Sequence, residues 1–154
     1  MRKEVRILDR KKLLIVVLVI VVTLSFSSIV AAQSPEVKEA LTDYLTNMPQ
    51  DFDVVFSKGV NFKLKTGKDV FILDVREIGE FEAGHIPQAV NIPIRDVMNN
   101  LDKLPDDDTL IVVYCKTGIR AAYVTEALQI LDYNAKDLVM GIVGWQDEGL
   151  KVVK

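Results

Sequence analysis

"LIVVYCKTGIRAAYVTEALQIL", residues Leu110 to Leu131, changes its hydrophobic period halfway along. Leu110 to Tyr114 is an unbroken apolar run of strand length, the pattern of a strand covered on both faces. From Arg120 onward, Ala121, Val124, Leu128 and Leu131 fall on one helical stripe. A doubly covered strand running into a helix within six residues predicts an α/β domain with a largely parallel central sheet flanked by helices.

The flanking sequence repeats the alternation. Upstream, Val70 to Leu73 and Ala89 to Ile92 read as short strands. One or two helical turns fit Glu77 to Glu82, and Ile94, Val97, Met98, Leu101 and Leu104 mark a further helix. Asn61 to Lys65 is ambiguous, and Thr66-Gly67-Lys68 is a turn. Downstream, Leu138 to Met140 is a last strand, and Gly141 to Gly149 a glycine-punctuated helical turn carrying Trp145. Before all of these, Ser34-Pro35-Glu36 supplies an N-cap, a proline at the first helical position and an acid in the first turn. Val37, Ala40, Leu41, Tyr44, Leu45 and Met48 continue that leading amphipathic helix, which ends near Pro49.

At 154 residues, 49% hydrophobic and 27% charged, the chain has the size and composition of one globular core. The N-terminus does not belong to that core. MRKEVRILDRKK holds six basic and two acidic residues, Leu13 to Val22 is uninterrupted and apolar, and small residues lead to Val30-Ala31-Ala32. These are the marks of a secretory signal cleaved after Ala32. Leu13 to Ala32 is also about the length of a bilayer span, so an uncleaved anchor stays open, with the domain outside the cytoplasm in either case.

The organisation expected is therefore a signal or anchor over 1–32, a leading helix and linker over 33–54, and the main domain over 55–154. Without residues 1–32, thirteen basic and twenty acidic groups remain, and a net charge near −7 disfavours a nucleic-acid partner. The run Asp106-Asp107-Asp108 has no other ligand type beside it and reads as a solvated turn.

Cys115, the sole cysteine, stands between the strand and the helix of the opening stretch. In open parallel sheets, ligands bind beyond the carboxyl ends of strands. The loop Cys115-Lys116-Thr117-Gly118-Ile119-Arg120 can curl so that its backbone N–H groups converge, with Gly118 free to take a positive φ. Converging amides, a helix N-terminus, Lys116 and Arg120 all favour an anion at the sulfur, the nucleophilic form of a thiol. The plainer reading of a lone cysteine is a small buried hydrophobe. An odd thiol in an exported chain also suggests intermolecular pairing.

Several stretches together are similar to one known family. They are Leu73-Asp74-Val75-Arg76-Glu77, Glu80-Phe81, Gly84-His85-Ile86-Pro87, Ala89-Val90-Asn91-Ile92-Pro93, Val112-Val113-Tyr114-Cys115 with Gly118 and Arg120, and Gly144-Trp145 with Gly149. In order and spacing they closely resemble a rhodanese domain over about residues 55 to 154. The resemblance implies the rhodanese fold and a sulfurtransferase whose Cys115 becomes a persulfide.

Four residues separate Cys115 from Arg120, whereas related phosphatases and arsenate reductases carry five to wrap a tetrahedral oxyanion. The shorter loop suits one sulfur atom on the cysteine.

On that resemblance, Cys115 is the catalytic residue, and Lys116, Thr117, Gly118, Ile119 and Arg120 bind substrate, Arg120 gripping an anionic donor. Ala121 replaces a serine common in relatives, removing one hydroxyl from the site. Asp74, Arg76 and His85 are expected to be structural residues near the site, His85 as a turn lock and not a general base, and Trp145 a packed aromatic. The partners implied are a small sulfur donor such as thiosulfate, a thiol or cyanide-like acceptor, and a protein acceptor as an option. No metal or cofactor is implied, because no Cys/His cluster exists to hold one. The rival readings are a non-catalytic binding module of the same fold and a persulfide or redox carrier for a cell-envelope partner.

Overall fold

A computed structural model describes residues 34–105 and 108–154, together with Asp9 and Leu14. The expected signal or anchor and two of the three acids at 106–108 fall outside the described residues. The backbone forms two compact units, Met1–Thr42 and Asp43–Lys154. In the first, Pro35 opens helix α1 (Pro35–Asn47), which runs on into the second. The helix ends one residue short of the expected Met48, and none of its residues is buried. Among the described residues no helix is long and apolar enough to cross a membrane.

The second unit is a five-stranded sheet wrapped by helices. Its elements are β1 (Val54–Val55), α2 (Ser57–Lys65), β2 (Phe71–Asp74), α3 (Ile78–Glu82), β3 (Val90–Asn91), β4 (Ile111–Tyr114), α4 (Ile119–Ile130), β5 (Ala135–Leu138) and α5 (Gly141–Asp147). The strand order is β1-β5-β4-β2-β3, and every pairing is parallel. Such strands need crossovers, and the helices supply them.

Because strand side chains alternate, each central strand feeds two cores. Leu73, Ile111, Val113 and Cys115 face one side with Ala121, Val124 and Leu128 of α4. Ile72, Val112 and Tyr114 face the other with Val60 of α2 and Ile142 and Trp145 of α5. All four residues of β4 are buried, as its unbroken apolar run requires.

Several elements differ from the sequence expectation. Ser57–Lys65 is a full helix, although Gly59 and Asn61 weaken its pattern. Val54–Val55 adds an edge strand too short to show periodicity. The helix expected through Ile94 to Leu104 is instead two 3₁₀ turns, Val97–Asn99 and Leu101–Lys103, separated at Asn100. The Asn100 side chain donates to the Asp96 carbonyl at 2.8 Å, one of the local bonds that compete with a regular helix. Val97 and Leu104 still anchor the segment in the core.

The last strand is Ala135–Leu138, not Leu138 to Met140. Lys136 and Asp137 mask it in sequence, and the chain leaves it at Met140 and Gly141, both with positive φ (60° and 52°).

From β2 the chain moves outward to β3, and from β4 it moves outward the other way to β5. The carboxyl ends of the adjacent strands β2 and β4 therefore form the switch point where a crevice opens. Asp74 ends β2, Tyr114 ends β4, and the two are paired in register. Cys115 is the next residue.

Candidate active site

Cys115 is 1% exposed at the floor of its loop. The Gly118 N–H donates to Cys115 Sγ at 3.2 Å. Gly118 has a φ of 102°, a conformation that favours glycine, and it turns the loop into α4. The loop's carbonyls are tied backward: Ile142 N–H donates to the Cys115 carbonyl at 2.9 Å and Val143 N–H to the Lys116 carbonyl at 3.2 Å. At Gly141, a Cβ would strike the Cys115 carbonyl oxygen and come within 2.9 Å of the Lys116 backbone. The loop is thus pressed against the start of α5, and only glycine fits between them.

Of the expected binding residues, Lys116, Thr117 and Ile119 are exposed, Gly118 is buried and Arg120 is half-buried. Arg120 does not stand free for a donor. Its Nη1 donates to Glu80 Oε2 at 2.7 Å and its Nη2 to Glu80 Oε1 at 2.9 Å. That pairing raises the Arg120 pKa, against some desolvation, and the Cys115 sulfur adds to the same effect. Glu80 is itself held by the Glu77 N–H at 3.1 Å, in a capping box that starts α3. The motif Glu80-Phe81 does not by itself reveal a role for Glu80. Its place at the third position of a short helix was the available signal.

Asp74 and Arg76 form a buried ion pair at the end of β2. Asp74 is fully buried and Arg76 5% exposed, with Arg76 Nη2 2.6 Å from Asp74 Oδ2 and Nε 3.0 Å from both carboxylate oxygens. Burial works against the Arg76 charge, but the Asp74 hydrogen bonds and charge outweigh it and leave the pKa above the ordinary guanidinium value. Arg76 Nη2 also donates to the Gly84 carbonyl at 2.8 Å, and its guanidinium lies 5.5 Å from the centre of the Tyr114 ring. The Asn91 side-chain amide donates to the Asp74 and Arg76 carbonyls, both at 2.9 Å. Ile86 N–H donates to the Tyr114 hydroxyl at 3.2 Å, and burial pushes that phenol's pKa up. The roles of Asn91 and Tyr114 were not read from sequence.

His85 is engaged as a turn lock. Its Nδ1 contacts the Phe81 carbonyl at 3.1 Å, so Nδ1 carries the proton there, and its ring stacks on Phe81 at 3.8 Å. Its backbone exchanges two 2.9 Å hydrogen bonds with Val153. Trp145 is buried, and its Nε1–H donates to the Lys151 carbonyl at 2.9 Å.

An open cleft of about 270 Å³ lies over this support, lined by Arg76, Glu80, Gly84, Lys116, Val143 and Gln146 among others. Among the described residues no group of three metal-ligating side chains comes together.

Comparison with known proteins agrees with the geometry. The model of the rhodanese-like domain matches residues 61–148. The chain is 34% identical over 79 residues to a tRNA sulfurtransferase of Thermoplasma acidophilum, covering 51% of this chain but only 16% of that protein. It is 29% identical over 98 residues to a sulfurtransferase of Allochromatium vinosum, covering 63% of this chain and 91% of that one. The crystal structure of a rhodanese-related protein from Thermoplasma volcanium superposes with a TM-score of 0.60 at 32% identity, over 65% of this chain and 96% of the other. With a family model spanning more than half of its length and the same fold around Cys115, the chain belongs to the rhodanese-like domain family.

Proposed function

We propose that the protein is a sulfurtransferase that carries a sulfane sulfur on Cys115 as a persulfide. The observation behind this reading is the Gly118 N–H on Cys115 Sγ, in a loop that leaves four residues between Cys115 and Arg120. In the first step the Cys115 thiolate attacks the outer sulfur of thiosulfate. A new S–S bond forms, the bond to the sulfonate breaks, and sulfite departs with the electron pair.

The persulfide is an anion, and the Gly118 amide that meets the thiol is placed to meet that charge as well. In the second step a thiolate or cyanide attacks the terminal sulfur and Cys115 leaves as thiolate. Lys116, exposed at the rim of the cleft, draws the anionic donor in, while Arg120 shares its charge with Glu80. The reading of residues 1–32 as an export signal or anchor supports a cell-envelope location for this chemistry.

The test is mass analysis of the reduced protein after incubation with thiosulfate. The peptide containing Cys115 should gain one sulfur atom and lose it on adding cyanide, while Cys115→Ser gains nothing. A wild-type protein that stays unmodified with thiosulfate and other sulfane donors would leave a binding module of the same fold.

A further inference from the structure

A second cavity, of about 540 Å³, opens beside α4 and β5. Three aromatic rings, Tyr44, Phe52 and Tyr123, line it together with Thr125, Glu126 and Asp137. No lysine, arginine or histidine is among its lining residues. The size falls within the range of small-molecule sites, which are mostly apolar with a few placed polar groups.

Among the described residues, two polar atoms in those walls lack partners. Thr125 is 4% exposed, and its Oγ1 has no hydrogen bond. Asp137 Oδ1 is likewise buried without a partner. Buried polar atoms are ordinarily satisfied, so an orphaned pair lining one cavity offers two polar positions that a ligand can engage. Burial also pushes the Asp137 carboxyl up to about 7. The neighbouring cation, Lys136, is occupied by Asp53 at 2.9 Å. Phe52 and Asp53 both take positive φ (53° and 51°), and this strained turn holds Phe52 71% exposed.

Two carboxylates without a cation and three aromatic faces together select one ligand chemistry. We infer that this cavity binds an organic ammonium ion with an apolar body, its nitrogen on Asp137 and Thr125 and its body among Tyr44, Phe52 and Tyr123. Ammonium groups are attracted both by carboxylates and by aromatic faces. The site is separate from the Cys115 cleft but adjoins its loop: Asp137 Oδ2 lies 3.4 Å from where a Gly118 Cβ would stand.

The test is titration of the ¹⁵N-labelled full-length chain with 2-phenylethylamine, followed by NMR. Neutral 2-phenylethanol and anionic 3-phenylpropionate serve as matched probes. The amine should shift the Thr125, Asp137 and Gly118 amides saturably, with the alcohol about tenfold weaker or worse and the carboxylate without effect. Asp137→Asn should weaken the amine about tenfold and leave the alcohol unchanged. Equal affinity for amine and alcohol, shifts confined to other residues, or no saturation with the amine would overturn the assignment.

Discussion

Arg120 and Glu80 meet fork to fork, with Nη1 2.7 Å from Oε2 and Nη2 2.9 Å from Oε1. The pair joins the first turn of α4 to α3, and so ties together the two loops that leave the switch point in opposite directions. The Arg120 hydrogen bonds outweigh desolvation and hold the Glu80 carboxyl down from 4.5 to about 2. A carboxylate depressed in the folded state binds fewer protons there than in the unfolded chain. Its contribution is therefore complete above pH 4.5 and fades as the pH falls toward 2. Glu80→Gln should lower stability at pH 7 by about 0.5–1 kcal/mol, as solvent-screened pairs do. Thermal unfolding of the two proteins should converge as the pH approaches 2.

The same pair predicts how charge controls turnover. Arg120→Ala should reduce kcat/KM with thiosulfate about tenfold or more, and Lys116→Ala by less, since Lys116 is a solvated rim charge. Glu80→Gln releases the guanidinium fork and should lower KM for an anionic donor, at the modest cost in stability given above. Steady-state kinetics with thiosulfate check all three. Identical parameters across the set would remove the Arg120 charge from the reaction.

Asp74 and Arg76 are buried together, so removing one partner strands the other. Arg76→Met should cost about 3–5 kcal/mol in urea unfolding. Adding Asp74→Leu should recover part of that loss, because no unpaired charge remains. A double variant less stable than wild type by the full sum of the two separate losses would contradict this account.

Two glycines should respond in opposite directions. Gly141→Ala forces a Cβ against the Cys115 carbonyl at a φ of 52°, and should cost at least about 1–2 kcal/mol and most of the sulfur transfer. Gly59 lies in α2 with nothing within 4 Å of its Cβ position. Gly59→Ala should therefore stabilise the protein by about 0.5–1 kcal/mol. Calorimetry of both variants gives the comparison directly.

The reading of residues 1–32 makes a prediction of its own. Protein recovered from the producing cell should begin at Gln33 if the segment is cleaved. Intact Met1 to Ala32 in the membrane fraction would replace cleavage with anchoring, and intact soluble protein would remove the export reading altogether.

Much of the sheet was legible because doubly covered parallel strands concentrate apolar residues. Ile111–Tyr114 and Phe71–Asp74 stand out for that reason. Ala135–Leu138 did not, since Lys136 and Asp137 interrupt its apolar pattern although β5 lies between β1 and β4: Lys136 reaches Asp53 and Asp137 lines a cavity. The positive φ of Gly118 was legible from the tight loop between strand and helix. The fork between Arg120 and Glu80 was not, because the residues are forty apart and only the fold brings them together. The orphaned Thr125 and Asp137 have no sequence signature at all, since an unmet hydrogen bond exists only once the surroundings are built.

A thiol that is 1% exposed has a consequence for covalent assembly. Joining two chains through Cys115 would require their α-carbons to approach within about 7 Å, with both sulfurs at the surface. Cys115 is too buried in the folded chain to bring its sulfur to such a surface. Even where oxidants abound, the folded protein should resist cross-linking to its own copy. The folded chain should run as a single species on a non-reducing gel.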